Sequence, residues 1–162
     1  MVGGMMRSLR ALGAVAVAAL ALTGCGMQVP ADPDGTLERV EGGVLRVGVT
    51  ENVPWVEVPD SGEPTGSEPA LIMQFAERLG ADVEWTPGSE AALTQALEEG
   101  ELDVVLGGFV EDTPWVEFGA ATRPYTEATV DGKTEKHVML TPLGENAFLV
   151  ALETFLDEEA DR

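Results

Sequence analysis

From Val44 onward the apolar positions alternate between a strand rhythm and a helix rhythm. Val44-Leu45-Arg46-Val47-Gly48-Val49-Thr50 is a short β-branched run, the pattern of a buried strand. Leu71, Ile72, Phe75, Ala76 and Leu79 then fall on one face at helical spacing. Ser67 is placed to cap a helix beginning near Glu68-Pro69, and Gly80 to stop it. Asp82-Val83-Glu84-Trp85 predicts a second strand, with Trp85 in the core. Ser89 predicts the cap of a second helix that turns Leu93, Ala96 and Leu97 inward and ends at Gly100. Asp103-Val104-Val105-Leu106-Gly107 predicts a third strand. Strand, helix, strand, helix, strand is the order of a mostly parallel sheet with flanking helices. Met73 reads as helix core.

The end of the chain has a different rhythm. Thr126 to Val130 and Lys136 to Thr141 are strand-like around the turn signal Asp131-Gly132-Lys133, which predicts an antiparallel hairpin. A last helix, roughly Asn146 to Leu156, places Phe148, Leu149, Leu152, Phe155 and Leu156 on one face. Residues 158–162 read as a polar tail.

The chain ahead of Val44 shows no such period. Arg7 and Arg10 precede an uncharged apolar run, Ala11 to Ala21, whose 11 residues suit a secretory signal and are too short to span a bilayer. Leu22-Thr23-Gly24-Cys25 follows, small residues leading into a cysteine, and this order resembles a bacterial lipobox. The expectation is a lipoprotein signal peptide over 1–24, with Cys25 acylated and so bound to membrane lipid. A flexible tether carrying Pro30 and Pro33 would cover 25–42, and a single lobe 43–157. An ordinary signal peptide with an accidental cysteine is the alternative. Cys25 is the sole cysteine, so no internal disulfide can form, and acylation would remove an otherwise exposed thiol. The predicted location is the extracytoplasmic face of a cell membrane.

Charge narrows the partners. All 29 acidic residues and 7 of the 9 basic ones lie after Gly24, which gives that part a net charge of −22. Such a surface repels nucleic acid and anionic lipid and favours cations, basic partners or simple solubility.

Several of these segments together resemble the extracellular solute-binding proteins of amino-acid-type ABC transporters (family 3). The similarity is carried by Leu45 to Val49 and Pro54-Trp55, by Gly66 with Leu71 to Gly80, and by Gly100-Glu101-Leu102-Asp103-Val104-Val105-Leu106-Gly107-Gly108. Thr122-Arg123-Pro124-Tyr125 and the stretch from His137 to Leu156 extend it. The resemblance implies one lobe of the periplasmic-binding-protein type. It also implies where the chain departs: the family inserts a second lobe after the proline-tyrosine, and here about a dozen residues, the predicted hairpin, replace it. The family's ligand-binding threonine and carboxylate-binding arginine align with Asp112 and Trp115. No cation stands near in sequence to receive a free carboxylate, which an arginine fork binds well.

Ligands of parallel α/β sheets gather at the carboxyl ends of the strands. The loops expected there share one tetrapeptide, Pro54-Trp55-Val56-Glu57 and Pro114-Trp115-Val116-Glu117. The candidate ligand-binding residues are therefore Trp55, Glu57, Glu68, Gly108, Glu111, Asp112, Trp115 and Glu117, an acidic and aromatic surface for a cationic group. The competing reading folds each tryptophan back on its own loop and leaves the acids solvated. His137, the lone histidine, reads as structural, and no catalytic residue, metal site or cofactor is expected. The functional expectation is a non-catalytic lipoprotein that recognises a small solute or a partner protein beside a membrane transporter. The alternatives are a purely structural module of a transporter, or an enzyme using Glu111 and Asp112.

Overall fold

The computed structural model describes residues 32–130 and 132–160. Strand β1 (Val44–Val49) is central and parallel to both β2 (Asp82–Pro87) and β3 (Val104–Val110). The return half of the sheet is antiparallel. Strand β6 (Lys133–Thr141) lies beside β3, and the two-residue β4 (Ala120–Ala121) and β5 (Thr126–Val130) both pair with β6. The order is β2-β1-β3-β6-β4, with β5 on the outer half of β6. The predicted hairpin is present, Val130 pairing Lys133 around Gly132 (φ 79°) and Asp131, which lies outside the described residues.

The period of two along each strand sends alternate residues to opposite faces, and helices cover both. One face is covered by helices α1 (Thr36–Val40), α2 (Ser67–Leu79) and α4 (Asn146–Ala160). Val40, Ile72, Phe75, Phe148 and Leu152 pack there with Leu45, Val47, Val104, Leu106 and Met139. On the other face Leu93 and Leu97 of α3 (Glu90–Glu98) meet Val105, Val138 and Leu140. Val104, Val105 and Leu106 thus serve the two cores in alternation.

Some boundaries differ from the sequence reading. Residues 32–42 are not tether. Asp32 Oδ1 accepts from the Ala147 and Phe148 amides at 2.7 and 3.1 Å, capping α4 from the far end of the chain. Glu145 returns the contact, accepting from the amides of Asp34 and Thr36 at 2.9 Å each, and Val40 is fully buried. The lobe therefore includes residues 32–42, because their first turn is held by the Glu145 side chain more than a hundred residues away. Residues 158–160 are not tail either: α4 runs to Ala160, and Glu158 pairs with Arg78 of α2. Ser67 is the first residue of α2 rather than its cap, Gly66 taking that place. Ser89 does cap α3, accepting from the Ala92 amide at 3.4 Å. Met73 is 44% exposed, not core. The signal peptide, Cys25 and residues 26–31 lie outside the described residues, as do Asp161 and Arg162.

Candidate functional site

Near the carboxyl end of β3 stand Gly107 and Gly108, where the chain leaves no room for a side chain. A Cβ on Gly107 would lie 2.3 Å from Thr50 Cγ2. One on Gly108 would lie 2.5 Å from Trp55 Cδ1, and Gly108 adopts φ +63°, a conformation that costs other residues energy. All four polar backbone groups of the pair are held from within. The Gly107 amide donates to Glu68 Oε2 at 2.9 Å, and its carbonyl accepts from Asn52 Nδ2 at 2.7 Å. The Gly108 amide donates to both Glu68 oxygens, at 3.2 and 3.1 Å. Its carbonyl meets His137 Nδ1 at 3.2 Å; since a carbonyl only accepts, Nδ1 carries the proton.

Glu68 has no exposed surface, and its third donor is the Tyr125 hydroxyl at 2.6 Å. Burial pushes its carboxyl above the ordinary range, and the bonds from Tyr125, Gly108 and Gly107 pull it part of the way back. The Tyr125 hydroxyl is itself pushed up, by burial and then by the charge of Glu68. His137 is buried beneath Trp55, the ring centroids 3.8 Å apart at 33°, and its Nε2 has no hydrogen-bond partner in the structure. Neither Glu68 nor His137 is presented to a ligand; they fix the backbone on which the site is built.

Beside the two glycines a cleft of about 450 Å³ is lined by Asn52, Glu90, Gly108, Phe109, Asp112 and Trp115, among others. Trp115 comes from a short 3₁₀ turn (Pro114–Glu117) capped by Thr113, whose hydroxyl accepts from the Trp115 amide. Its indole Nε1 donates to Glu90 Oε2 at 2.6 Å, and its ring tilts against Phe118 with centroids 6.1 Å apart. The indole is therefore oriented rather than loose. Glu90 and Asp112 are both exposed, and among the described residues no lysine or arginine lines the cleft. Such walls offer carboxylates and an aromatic face to a cation, and nothing to neutralise an anion.

Of the sequence candidates, the structure brings together Gly108, Asp112 and Trp115. Trp55 packs against Gly108 and lines a separate groove of about 230 Å³ with Leu71, Tyr125 and Leu156, so the two tryptophans do not share one concavity. Glu68 is corrected from a surface acid to a buried pin: it lies in the first turn of α2, and that turn packs under Trp55, whose carbonyl accepts the Glu68 amide at 3.2 Å. Gly108 lends shape alone, since its amide and carbonyl are engaged. Glu57 pairs with Thr65 across a small exposed bridge, and Glu111 lies 3.8 Å from Lys136. Glu57, Glu111 and Glu117 do not line the cleft. Asn52 and Glu90 escape the sequence reading. Glu90 directly follows the cap of a helix that starts at the same sheet edge, which was the signal available.

The model for bacterial extracellular solute-binding proteins, family 3, matches residues 45–158. Membrane-bound lytic murein transglycosylase F of Vibrio cholerae serotype O1 is 37% identical over 91 residues, 55% of this chain and 17% of that protein. The protein of the same name from Aliivibrio fischeri is 38% identical over 88 residues, 53% and 17% of the two chains. The matched region thus spans under a fifth of the length of these relatives. Among solved structures, the arginine-bound form of domain 1 from TmArgBP superposes with a TM-score of 0.64 at 24% identity, covering 75% of this chain and 97% of that one. An ancestral cationic amino acid solute-binding protein superposes with a TM-score of 0.66 at 16% identity, covering 78% and 94%. At these identities the structures show a shared fold.

Proposed function

The chain belongs to the bacterial extracellular solute-binding proteins of family 3, and from that premise we propose that it is a non-catalytic recognition domain, held to a membrane through Cys25, whose Trp115 cleft takes the cationic end of a ligand. The observation that carries this reading is the composition of the cleft. It lies at the strand ends of a solute-binding lobe and holds two exposed carboxylates, Glu90 and Asp112. An indole is fixed by one of them, and among the described residues no cationic side chain lines the cleft. One lobe presents an open surface, so weak binding is the expectation, offset by the local concentration that an anchor provides.

The relatives favour a second reading of the ligand. They are named for a murein-cleaving activity, and this chain matches one part of them. A murein fragment bearing a free amine satisfies the same cleft. One titration addresses both. Tryptophan fluorescence and thermal shift are followed as arginine, putrescine or soluble amine-bearing murein peptides are added. Binding should fall at least about tenfold in Asp112→Asn and Trp115→Ala, the loss of roughly one charge-assisted contact. A preference for the murein peptides over the free amines selects the second reading. If no cation shifts either signal, the cleft is not a cation site.

A further inference from the structure

Strand β2 closes one end of the sheet and pairs with β1 alone. The Asp82 amide donates to the Gly43 carbonyl at 2.9 Å and the Gly88 amide to that of Val49 at 3.0 Å. Residues 82, 84, 86 and 88 therefore turn their backbone groups toward β1. The residues between them face outward. Val83 and Trp85 each present an amide and a carbonyl to the open edge, and Pro87 presents a carbonyl only. Among the described residues nothing pairs with these groups. Beside this edge lies a depression of about 700 Å³. Met73, Ala76, Ala81 and Val83 give it an apolar floor, and Glu63 and Glu77 rim it. Among the described residues no lysine or arginine lines it.

A strand added to this edge alternates as β2 does. Its residues on one side lie level with Val83 and Trp85, which pack on the α2 face of the sheet, and so reach the depression. Those on the other side lie level with exposed Asp82 and Glu84. A second copy of this chain fits badly. Pairing two β2 strands sets Asp82 and Glu84 beside their own kind, on molecules that are already strongly acidic. A basic strand meets no such penalty. We propose that the free edge of β2 takes an extended segment of a partner protein in which aliphatic residues alternate with lysine or arginine. Main-chain bonds to Val83 and Trp85 supply the grip. The depression beside Met73 receives aliphatic side chains, and Asp82 and Glu84 receive the cations. This surface shares no lining residue with the Trp115 cleft, and it stands whether or not that cleft takes a cation.

The test titrates the full chain into a dye-labelled peptide of about seven residues that alternates lysine with valine. Anisotropy reads binding, and amide hydrogen exchange reads the edge. At saturation, exchange at Val83 and Trp85 should slow by about tenfold or more. Asp82→Asn combined with Glu84→Gln, both at exposed positions, should weaken binding by about tenfold. Asp112→Asn, in the cleft, should leave the affinity for this peptide unchanged. N-methylation of the valines blocks one edge of the peptide, and N-methylation of the lysines blocks the other. One of these two forms should lose about tenfold while the other binds as the parent does. Absence of binding, unslowed exchange at Val83 and Trp85, or equal affinity for the two N-methylated forms overturns the proposal. A block isomer with all its lysines before its valines tests diffuse charge attraction, and equal affinity for it overturns the proposal as well. Sedimentation of the chain alone covers the other occupant. A dimer that protects the same two amides makes the edge a self-interface and overturns the basic partner.

Discussion

Glu68 and Asp103 are both fully buried carboxylates, and the chain treats them in opposite ways. Asp103 is surrounded by cation: Arg46 contacts it at 2.7 and 3.2 Å through its side chain, and Arg39 reaches it from α1. Glu68 has three neutral donors and no ion pair among the described residues. Burying a charge without a counter-charge favours the protonated form, which is the direction of its shift. The sign for stability follows from linkage. A folded pKa above the ordinary value near 4.5 means the folded state binds this proton more tightly than the unfolded chain. Its contribution is present in full below that value and is lost as the pH rises through the folded pKa. Urea melts of the wild type and Glu68→Gln, at about pH 5 and about pH 8, should show the wild type gaining on the variant at the lower pH. Parallel slopes would mean that Glu68 is not the titrating group.

At the level of elements, the reciprocal caps between α1 and α4 add to the little that local sequence supplies. Helix α1 is five residues long with Gly35 at its cap and a single local side-chain contact, from the Leu37 amide to Asp32 Oδ2, too short to persist alone. Asp32→Ala should cost about 1–2 kcal/mol, the usual loss of a helix cap, and Glu145→Ala a similar amount. Denaturant midpoints check both. If the double variant costs no more than either single one, the two caps act as a unit. The same elements show what could be read in advance. The runs Val44–Val49 and Thr126–Val130 were legible because their residues alternate in strand rhythm. Helix α3 was legible because Ser89 and Gly100 mark its ends. Helix α1 was not, since its partners Glu145 and α4 lie over a hundred residues on. That Asp112 and Trp115 line one cleft was legible from the rule that ligands of parallel sheets gather at the carboxyl ends of strands. Glu68 was misplaced because a glutamate in the first turn of a helix ordinarily faces water, and the amides of Gly107 and Gly108 with the Tyr125 hydroxyl draw this one inward.

For the whole molecule, the strongest influence outside the core is charge, with 29 acidic residues against 9 basic ones. Among the described residues, the ion pairs of Arg78, Arg123 and Lys136 all place the cation at an exposed position. Self-repulsion therefore works against compactness, and exposed pairs give little back. Raising sodium chloride from about 0.01 to about 0.5 M shortens the screening length from about 30 Å to a few ångströms and should raise the melting temperature. A fall would mean that attractive pairs outweigh the repulsion.

The mutual capping of the first and last helices has a consequence for biogenesis. The central sheet needs β6, Asp32 needs the amides of Ala147 and Phe148, and the larger core needs Leu152, Phe155 and Leu156. A growing chain that has not yet reached the last of these residues lacks a wall of its core and the partner of its first turn. Premature collapse into the finished lobe is then blocked by topology until β6 and α4 have both been made.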